Sequence, residues 1–170
     1  GLMEVLDPRP RGYGSSRNVI NYLNDHDQER VMWLLGKAGV LDDVAFRRNK
    51  MGAPLLFTST GTPMLWMGEE FGESHERTLD RQPIDWALLQ NDRNAGLYQH
   101  YAGLVDLRRY NPALQTENIE FTMLDRERNL LAFKRWNDQG NVIMVVANLI
   151  DAFAGGFEIG GVEDGTWHEH

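Results

Sequence analysis

The front part of the chain contains two kinds of hydrophobic pattern, short apolar runs and longer stretches with a helical period. Two short apolar runs, Val19 to Leu23 and Pro63 to Met67, are bounded by polar residues or glycine and predict buried strands. Stretches with a period of three to four residues, which predicts amphipathic helices, lie between and after these runs. They cover 29–37, a segment that starts near Asp42 or Asp43 and ends by Gly61, and 92–110. The pattern therefore predicts strands and helices in alternation.

The two longer helices each carry a predicted apolar face. In the first of them, positions spaced by three and four residues share one face: Val44, Arg48, Met51 and Leu55. Pro54 predicts a kink there, because proline removes a backbone donor. The second helix can be capped by Asn91 or Asp92, and we expect its apolar stripe to face the strands. The stripe consists of Leu97, Tyr98, Tyr101, Leu104 and Val105.

After Pro112 the period changes from 3.6 to 2, which predicts antiparallel β-structure. The change predicts a boundary between two units, residues 1–114 and residues 115–170. Tight turns are predicted between the first three strands. The predicted strands are Ile119–Leu124, Leu130–Trp136, Val142–Leu149 and Phe157–Ile159.

Composition and charge narrow the functional classes. No apolar run approaches the roughly 18 residues that a bilayer span requires, so we expect no membrane partner. The net charge of −8 and the scattered acidic residues argue against a nucleic-acid surface, which needs clustered lysine and arginine. The chain has no cysteine, which excludes disulfides and fits a reducing cytoplasm. Its first residues lack the features of a signal peptide, and both ends look cut, as in a fragment.

The first candidate for chemistry is the cluster Asn24-Asp25-His26-Asp27, directly after the first predicted strand. In α/β barrels, reacting groups lie at the carboxyl ends of the strands. The cluster could serve acid–base chemistry or bind sugar hydroxyls, or Asp25 or Asp27 could simply cap the next helix. We expect no metal site, because no second imidazole or thiolate stands at ligand spacing.

A second candidate is the strand exit Gly68-Glu69-Glu70-Phe71-Gly72. It also places carboxylates at the end of a strand. A structural turn is the favoured interpretation for Glu70, since half-buried carboxylates usually accept backbone hydrogen bonds. Residues 69–90, in which it lies, show no clear period and predict a long loop, a class that is often functional.

Four features in register resemble the α-amylase superfamily of glycoside hydrolases. Residues 21–27 resemble its fourth conserved region, a short strand that ends in Asn-His-Asp or Ser-His-Asp. Residues 61–72 resemble the eighth barrel strand and its exit, in the form found in glycogen branching enzymes and trehalose-releasing malto-oligosyltrehalose hydrolases. The segment 81–86, with the helix that ends in 107–114, and the antiparallel tail also resemble that family. The resemblance covers nearly the whole chain.

This resemblance implies roles for individual residues. Asp27 matches the third catalytic carboxylate, which binds hydroxyls of the reacting glucose and stabilises an oxocarbenium-like transition state. His26 matches the histidine that binds the same sugar. Asp25 stands where the family has asparagine or serine, and it and Glu70 are further candidates for substrate binding. No residue here matches the nucleophile or the acid/base that a retaining enzyme needs about 5–5.5 Å apart, since those belong to the fourth and fifth barrel strands.

The resemblance also implies a fold and an activity. We expect an α/β plus all-β chain: the last two β/α units of a (β/α)8 barrel, then a truncated antiparallel β-sandwich. The parent enzyme should act on α-1,4-glucans or malto-oligosaccharides by a retaining mechanism without a cofactor, and hydrolysis, branching and trehalose release all stay open. The isolated chain should be inactive and prone to self-association, because two barrel strands leave unpaired edges.

Two other functional classes remain open. The chain could be a non-catalytic glucan-binding module, for which Trp136 and Trp167 are the candidate stacking residues, although their strand positions favour the core. It could also be a purely structural piece of a larger assembly, which predicts no sugar binding. Titration with a malto-oligosaccharide separates these classes.

Overall fold

The structure, a computed structural model, describes residues 1–170 and contains four α-helices and five β-strands. Short 3-10 turns occupy the loops between them. None of the helices combines the length and the apolarity needed to cross a bilayer. In chain order the elements are α1 (Leu2–Leu6), β1 (Ile20–Asn21), α2 (Val31–Lys37), α3 (Asp42–Thr58), β2 (Thr62–Pro63), α4 (Asp92–Tyr110), β3 (Ile119–Asp125), β4 (Leu130–Trp136) and β5 (Val142–Asn148).

Strands β1 and β2 form a short parallel pair, with Ile20 opposite Thr62 and Asn21 opposite Pro63. Both are shorter than the predicted runs. The prediction that the first strand is buried was wrong, since Ile20 is 58% exposed and Tyr22 is 40% exposed. A parallel strand is buried when neighbouring strands and helices cover it, and this pair has no third strand.

Helix α4 packs against α3 and forms the larger apolar core. The bounds predicted for α4 are confirmed, and its cap is Asn91, whose side-chain oxygen accepts a hydrogen bond from the Arg93 backbone N–H at 2.9 Å. Within the predicted stripe, Leu97 and Tyr101 are buried and Leu104 is half-buried, while Tyr98 and Val105 are exposed. The buried residues of this core are Ala53, Leu56, Phe57, Leu97 and Tyr101.

Helix α3 begins at Asp42 as predicted, but its apolar face differs from the prediction. The N-cap is Leu41, without a side-chain cap bond. The predicted face proved to be half-buried or exposed, and it borders a groove against residues 148–151. The helix lies between α4 and the antiparallel sheet, so it buries one side against each of them. A single apolar stripe cannot describe both buried sides. Its buried residues are Ala45, Asn49, Ala53, Leu56, Phe57 and Thr58.

The back of the chain is a three-stranded antiparallel sheet in the order β3-β4-β5, with a bulge between Phe121 and Met123. The first three predicted strands are confirmed within one residue at each end. The predicted strand at 157–159 is absent. That segment is only three residues long and lies between Gly155-Gly156 and Gly160-Gly161, and glycine weakens strands because it supplies no side chain to pack.

One face of this sheet packs on α1 and α3 through a second apolar cluster of Leu6, Leu131, Phe133 and Ala147, with Leu55 of α3 against it. Arg135 of β4 lies in the same interface and is fully buried. Its guanidinium donates to the carbonyl oxygens of Thr58 and Ser59 at the end of α3, and to those of Asn118, Leu114 and Thr116. The sheet is thereby bound to the end of α3 by polar as well as apolar contacts.

Candidate functional site at the strand exits

The exits of β1 and β2 lie side by side, because the two strands are parallel and their carboxyl ends share one edge. The imidazole of His26, after β1, lies 6.0 Å from the ring of Trp66, after β2, measured between ring centroids. Arg30 donates from Nη1 to the carbonyl oxygen of Met67 at 2.7 Å. We call residues 22–30 and 66–77 together the exit rim.

Asp25 shapes the turn that carries the cluster. Its Oδ1 accepts a hydrogen bond from the Asp27 backbone N–H at 2.9 Å, an Asx turn. Its carboxylate also raises the pKa of the Tyr22 hydroxyl by hydrogen bonding. The alternative that Asp25 or Asp27 caps the next helix was wrong, since α2 starts at Val31 without any side-chain cap.

His26 and Asp27 form an exposed pair. His26 Nε2 lies 3.3 Å from Asp27 Oδ2, and each side chain is 69% exposed. One ligand atom from each of Asp25, His26 and Asp27 falls within 4.8 Å of the others. Exposed acidic groups are common without an ion, and the expectation of no metal stays a prediction. An imidazole and a carboxylate facing solvent at one edge can bind neighbouring hydroxyl groups of a sugar.

At the β2 exit, Gly68 and Glu70 build a tight turn. Glu70 Oε2 accepts a hydrogen bond from the Gly68 backbone N–H at 2.8 Å. Gly68 has a φ of +90°, and a Cβ there would lie 2.8 Å from the Glu73 Cβ, so only glycine fits. This geometry is the turn favoured for Glu70 from the sequence, and its substrate-binding role stays a prediction.

Glu69, next to this turn, is buried with 3% exposure, and its Oε1 has no hydrogen-bond partner. Burial raises its pKa to about 7, against an opposing effect of the nearby Arg30. A carboxyl group with such a pKa changes charge near neutral pH. The sequence showed two adjacent glutamates but not which of them is buried.

The loop after β2 returns to the β1 exit. Arg77 donates from its backbone N–H to Glu29 Oε2 and from Nε to the His26 carbonyl oxygen, both at 2.8 Å. Its Nη2 lies 3.8 Å from Asp27 Oδ1. The loop therefore brings a cation to the candidate carboxylate.

Glu73 is the buried anchor of the same loop. It accepts backbone hydrogen bonds from Ser74, His75 and Asp85, and His75 Nδ1 lies 3.0 Å from its Oε1. Burial acts to raise the pKa of Glu73, but the backbone donors outweigh it and the pKa is lowered.

Sequence reasoning missed Arg30, Trp66, Glu73, His75 and Arg77. The unusual length of the loop was a signal that it has a function, but nothing in its pattern marked individual residues. The contacts of Arg30, Trp66 and Arg77 join segments that are about 40–50 positions apart, such as Arg77 with Glu29. Glu73 and His75 contact each other and nearby loop residues.

No protein-family model matches the chain. A 1,4-alpha-glucan branching enzyme, GlgB, of Butyrivibrio fibrisolvens is 30% identical over 125 residues, which is 69% of this chain and 19% of that protein. Neopullulanase 2 of Thermoactinomyces vulgaris is 28% identical over 135 residues, 79% of this chain and 22% of that protein. The chain thus spans about a fifth of the length of the curated relatives it matches.

Solved structures show the same similarity in three dimensions. A pullulanase complexed with maltotetraose, from Anoxybacillus sp. LM18-11, superposes with a TM-score of 0.74 at 17% identity, over 91% of this chain and 26% of that one. A cyclomaltodextrinase gives a TM-score of 0.60 at 28% identity, over 75% of this chain and 20% of that one. Because the pullulanase is only 17% identical, its match shows a similar fold and nothing more.

Proposed function

Because the chain belongs to the α-amylase superfamily of glycoside hydrolases, we propose that residues 1–114 form the last two β/α units of a (β/α)8 catalytic barrel. Residues 115–170 are then part of a carboxyl-terminal β-sandwich. The order β1, α2, α3, β2, α4 and the parallel pairing of β1 with β2 support the barrel assignment. Exposed Ile20 supports a longer sheet, since barrel strands are normally covered on both faces.

The proposed activity is a retaining reaction on α-linked glucans or malto-oligosaccharides. The observation that carries this proposal is the His26–Asp27 pair at the common exit of two parallel strands. Barrel chemistry takes place at that face. Asp27 stabilises the positive charge that develops on the sugar, and His26 binds the same sugar. Asp25, which holds the turn, and Glu70 remain predicted as weaker contributors to substrate binding.

The nucleophile and the acid/base then come from earlier barrel strands, so the chain alone is catalytically inactive. The proposal requires no cofactor. The similar proteins are named as a branching enzyme and as a neopullulanase, and the exit rim fits transfer to a glucan as well as transfer to water. We also place the enzyme in the cytoplasm, which the cysteine-free sequence favours.

The test is Asp27→Asn in the full-length enzyme, with a malto-oligosaccharide as substrate. The amide keeps the shape of the side chain but removes its charge, which acts mainly in the transition state. We expect kcat to fall about 10²–10³-fold, as is typical for the loss of one such electrostatic group.

The control for this test is a measurement of the stability of the Asp27→Asn variant. Asp27 is 69% exposed, so the variant should unfold within about 0.5 kcal/mol of the parent, as most surface substitutions do. A folded variant with a near-normal kcat would remove Asp27 from the active site and with it the proposed function.

We further propose that the isolated chain self-associates. The β1–β2 pair has two open edges, and unpaired strand edges recruit other strands. Exposed Ile20, Tyr22 and Met67 lie on or beside these strands. Sedimentation at micromolar concentration should show dimers or larger species, whereas a stable monomer would contradict this.

A second candidate function, a non-catalytic glucan-binding module, rests on one observation. Trp136 and Trp167 line a common groove of about 240 Å³, with Lys134 and Glu163 beside them. Aromatic faces and polar groups together suit sugar rings, although the Lys134 ammonium already lies 5.5 Å from the centre of the Trp136 ring. Quenching of tryptophan fluorescence by maltotetraose in the parent, lost in Trp167→Ala, would favour this function.

A further inference from the structure

Arg77, in the loop that follows β2, forms two hydrogen bonds to the β1 exit. Its backbone N–H reaches Glu29 and its Nε reaches the carbonyl oxygen of His26. The second arm of the same guanidinium points toward Asp27, with Nη2 at 3.8 Å from Oδ1. One residue therefore contacts three positions of the exit that carries the candidate carboxylate.

These contacts act on both oxygens of Asp27. Oδ2 faces His26 Nε2 at 3.3 Å, and Oδ1 faces Arg77 Nη2. An exposed carboxylate with one partner can rotate about its side-chain bonds, whereas a partner on each oxygen restricts the plane of the group. His26 and Arg77 are thus placed to fix the orientation of Asp27 from two sides.

The contact between Arg77 and Asp27 adds little to the stability of the folded chain. Arg77 is 41% exposed and Asp27 is 69% exposed, and an ion pair between exposed side chains contributes little to the free energy of folding. The planar guanidinium matters for geometry instead. Its Nε donates to a carbonyl oxygen while its Nη2 faces a carboxylate, and the rigid plane fixes these two directions relative to each other, whereas an ammonium has no such fixed fork.

We propose that Arg77 is a positioning residue that anchors the loop over the β1 exit and orients the Asp27 carboxylate toward the reacting sugar. This inference rests on the proposed role of Asp27. Arg77 acts through Asp27 and does not itself bind the sugar. Its removal therefore lowers the rate of the chemical step without weakening substrate binding.

The experiment compares Arg77→Ala and Arg77→Lys in the full-length enzyme, with a malto-oligosaccharide as substrate. Arg77→Ala should lower kcat about 10-fold to 100-fold, since small misplacements of catalytic groups have effects of this size, while KM changes by less than about twofold. Arg77→Lys should recover only part of the loss, because it restores the charge but not the planar fork. Arg126→Ala, in the exposed turn after β3, is the matched control and should keep both constants and the melting temperature.

A double-variant cycle separates this inference from the proposed function. If Arg77 acts through Asp27, Arg77→Ala in an Asp27→Asn background should cause little further loss, because coupled residues are not additive. Full additivity, an unchanged kcat in Arg77→Ala, or a raised KM with unchanged kcat would each overturn the positioning role. An active Asp27→Asn variant would overturn the proposed function itself, whereas an inactive Asp27→Asn with a normal Arg77→Ala would overturn the inference about Arg77 alone.

Discussion

The exit rim and the junction between α3 and the sheet both carry charged side chains, but in opposite environments. At the rim, His26 and Asp27 face solvent and pair at 3.3 Å. At the junction, Arg135 is fully buried and donates hydrogen bonds to backbone carbonyl oxygens. Burial lowers the pKa of Arg135 to about 9. The His26–Asp27 pair stays hydrated, whereas Arg135 gives up its hydration and holds α3 and the sheet together.

This difference indicates that a charged side chain stabilises the fold at the junction, whereas the His26–Asp27 pair at the rim adds little to it. Carbonyl oxygens at the end of a helix are unsatisfied and carry partial negative charge, so a buried cation there is favourable. Arg108 adds to this arrangement, since it donates to the carbonyl oxygens of Phe57, Ser59 and Gly61. The exposed His26–Asp27 pair at the rim contributes little to folding.

The largest expected effect in a test of this contrast is that of Arg135→Met. The variant leaves carbonyl oxygens at Thr58, Leu114 and Thr116 without their donor in a buried interface. We expect a loss of about 3–5 kcal/mol in the free energy of unfolding, because each buried unsatisfied group costs about 1–3 kcal/mol. Urea denaturation followed by circular dichroism measures it.

Arg126→Ala is the control for Arg135→Met, since Arg126 is an exposed arginine in a turn. It should change the free energy of unfolding by less than about 0.5 kcal/mol. If Arg135→Met were as stable as this control, the junction would depend on its apolar cluster alone.

The next effect concerns the face of α4. Leu97 is fully buried in the core with α3, whereas Leu104 packs against that core and is only half-buried. Leu97→Ala should cost about 2–5 kcal/mol, the range for fully buried leucine. Leu104→Ala should cost about 1 kcal/mol, because less apolar area returns to water. Equal costs measured by thermal unfolding would mean that α4 is rotated relative to the structure.

A further effect depends on pH and concerns Glu69 at the rim. Its pKa is raised by burial from 4.5 to about 7 in the folded chain. The protonated form is thus favoured in the fold, so its contribution is complete below about pH 4.5 and is lost as pH rises through 7. Relative to the parent, Glu69→Gln should become more stable by about 1–3 kcal/mol between pH 4 and pH 8.

Urea midpoints of parent and Glu69→Gln at pH 4, 6 and 8 give this difference directly, and other titrating groups cancel between the two proteins. A stability difference that does not change with pH would show that Glu69 is hydrated in solution. Glu70→Gln is a suitable comparison, because the Glu70 carboxylate has the Gly68 backbone N–H as a partner.

The sequence predicted the long, regularly patterned elements well. The bounds of β4 and of α4 agree with the structure, because alternation and helical periodicity over seven or more residues are strong local signals. It also placed the His26–Asp27 pair at a strand exit, which the parallel register of β1 and β2 bears out. The prediction of a strand at 157–159 was wrong, because three residues between glycines are too few to establish an alternating pattern.

The exit rim was only partly predictable. Asp25, His26 and Asp27 are adjacent in sequence, so their proximity follows from the chain itself. Arg77 and Trp66 reach them only through the fold, as does the Arg30 contact with Met67. No local pattern encodes these approaches, because each depends on the path of a loop without periodicity.

By itself the sequence determined the bounds of α4 and β4 and the proximity of Asp25, His26 and Asp27. Hydrophobic periodicity, glycine and proline act over a few neighbouring positions, so these features are local. The tertiary structure alone decided which face of α3 is buried, which of Glu69 and Glu70 is desolvated, and that Arg135 is enclosed by the end of α3. The physical reason is that burial and electrostatic environment depend on segments far apart in the chain. Their meeting is set by the packing of whole elements, which no short stretch of sequence specifies.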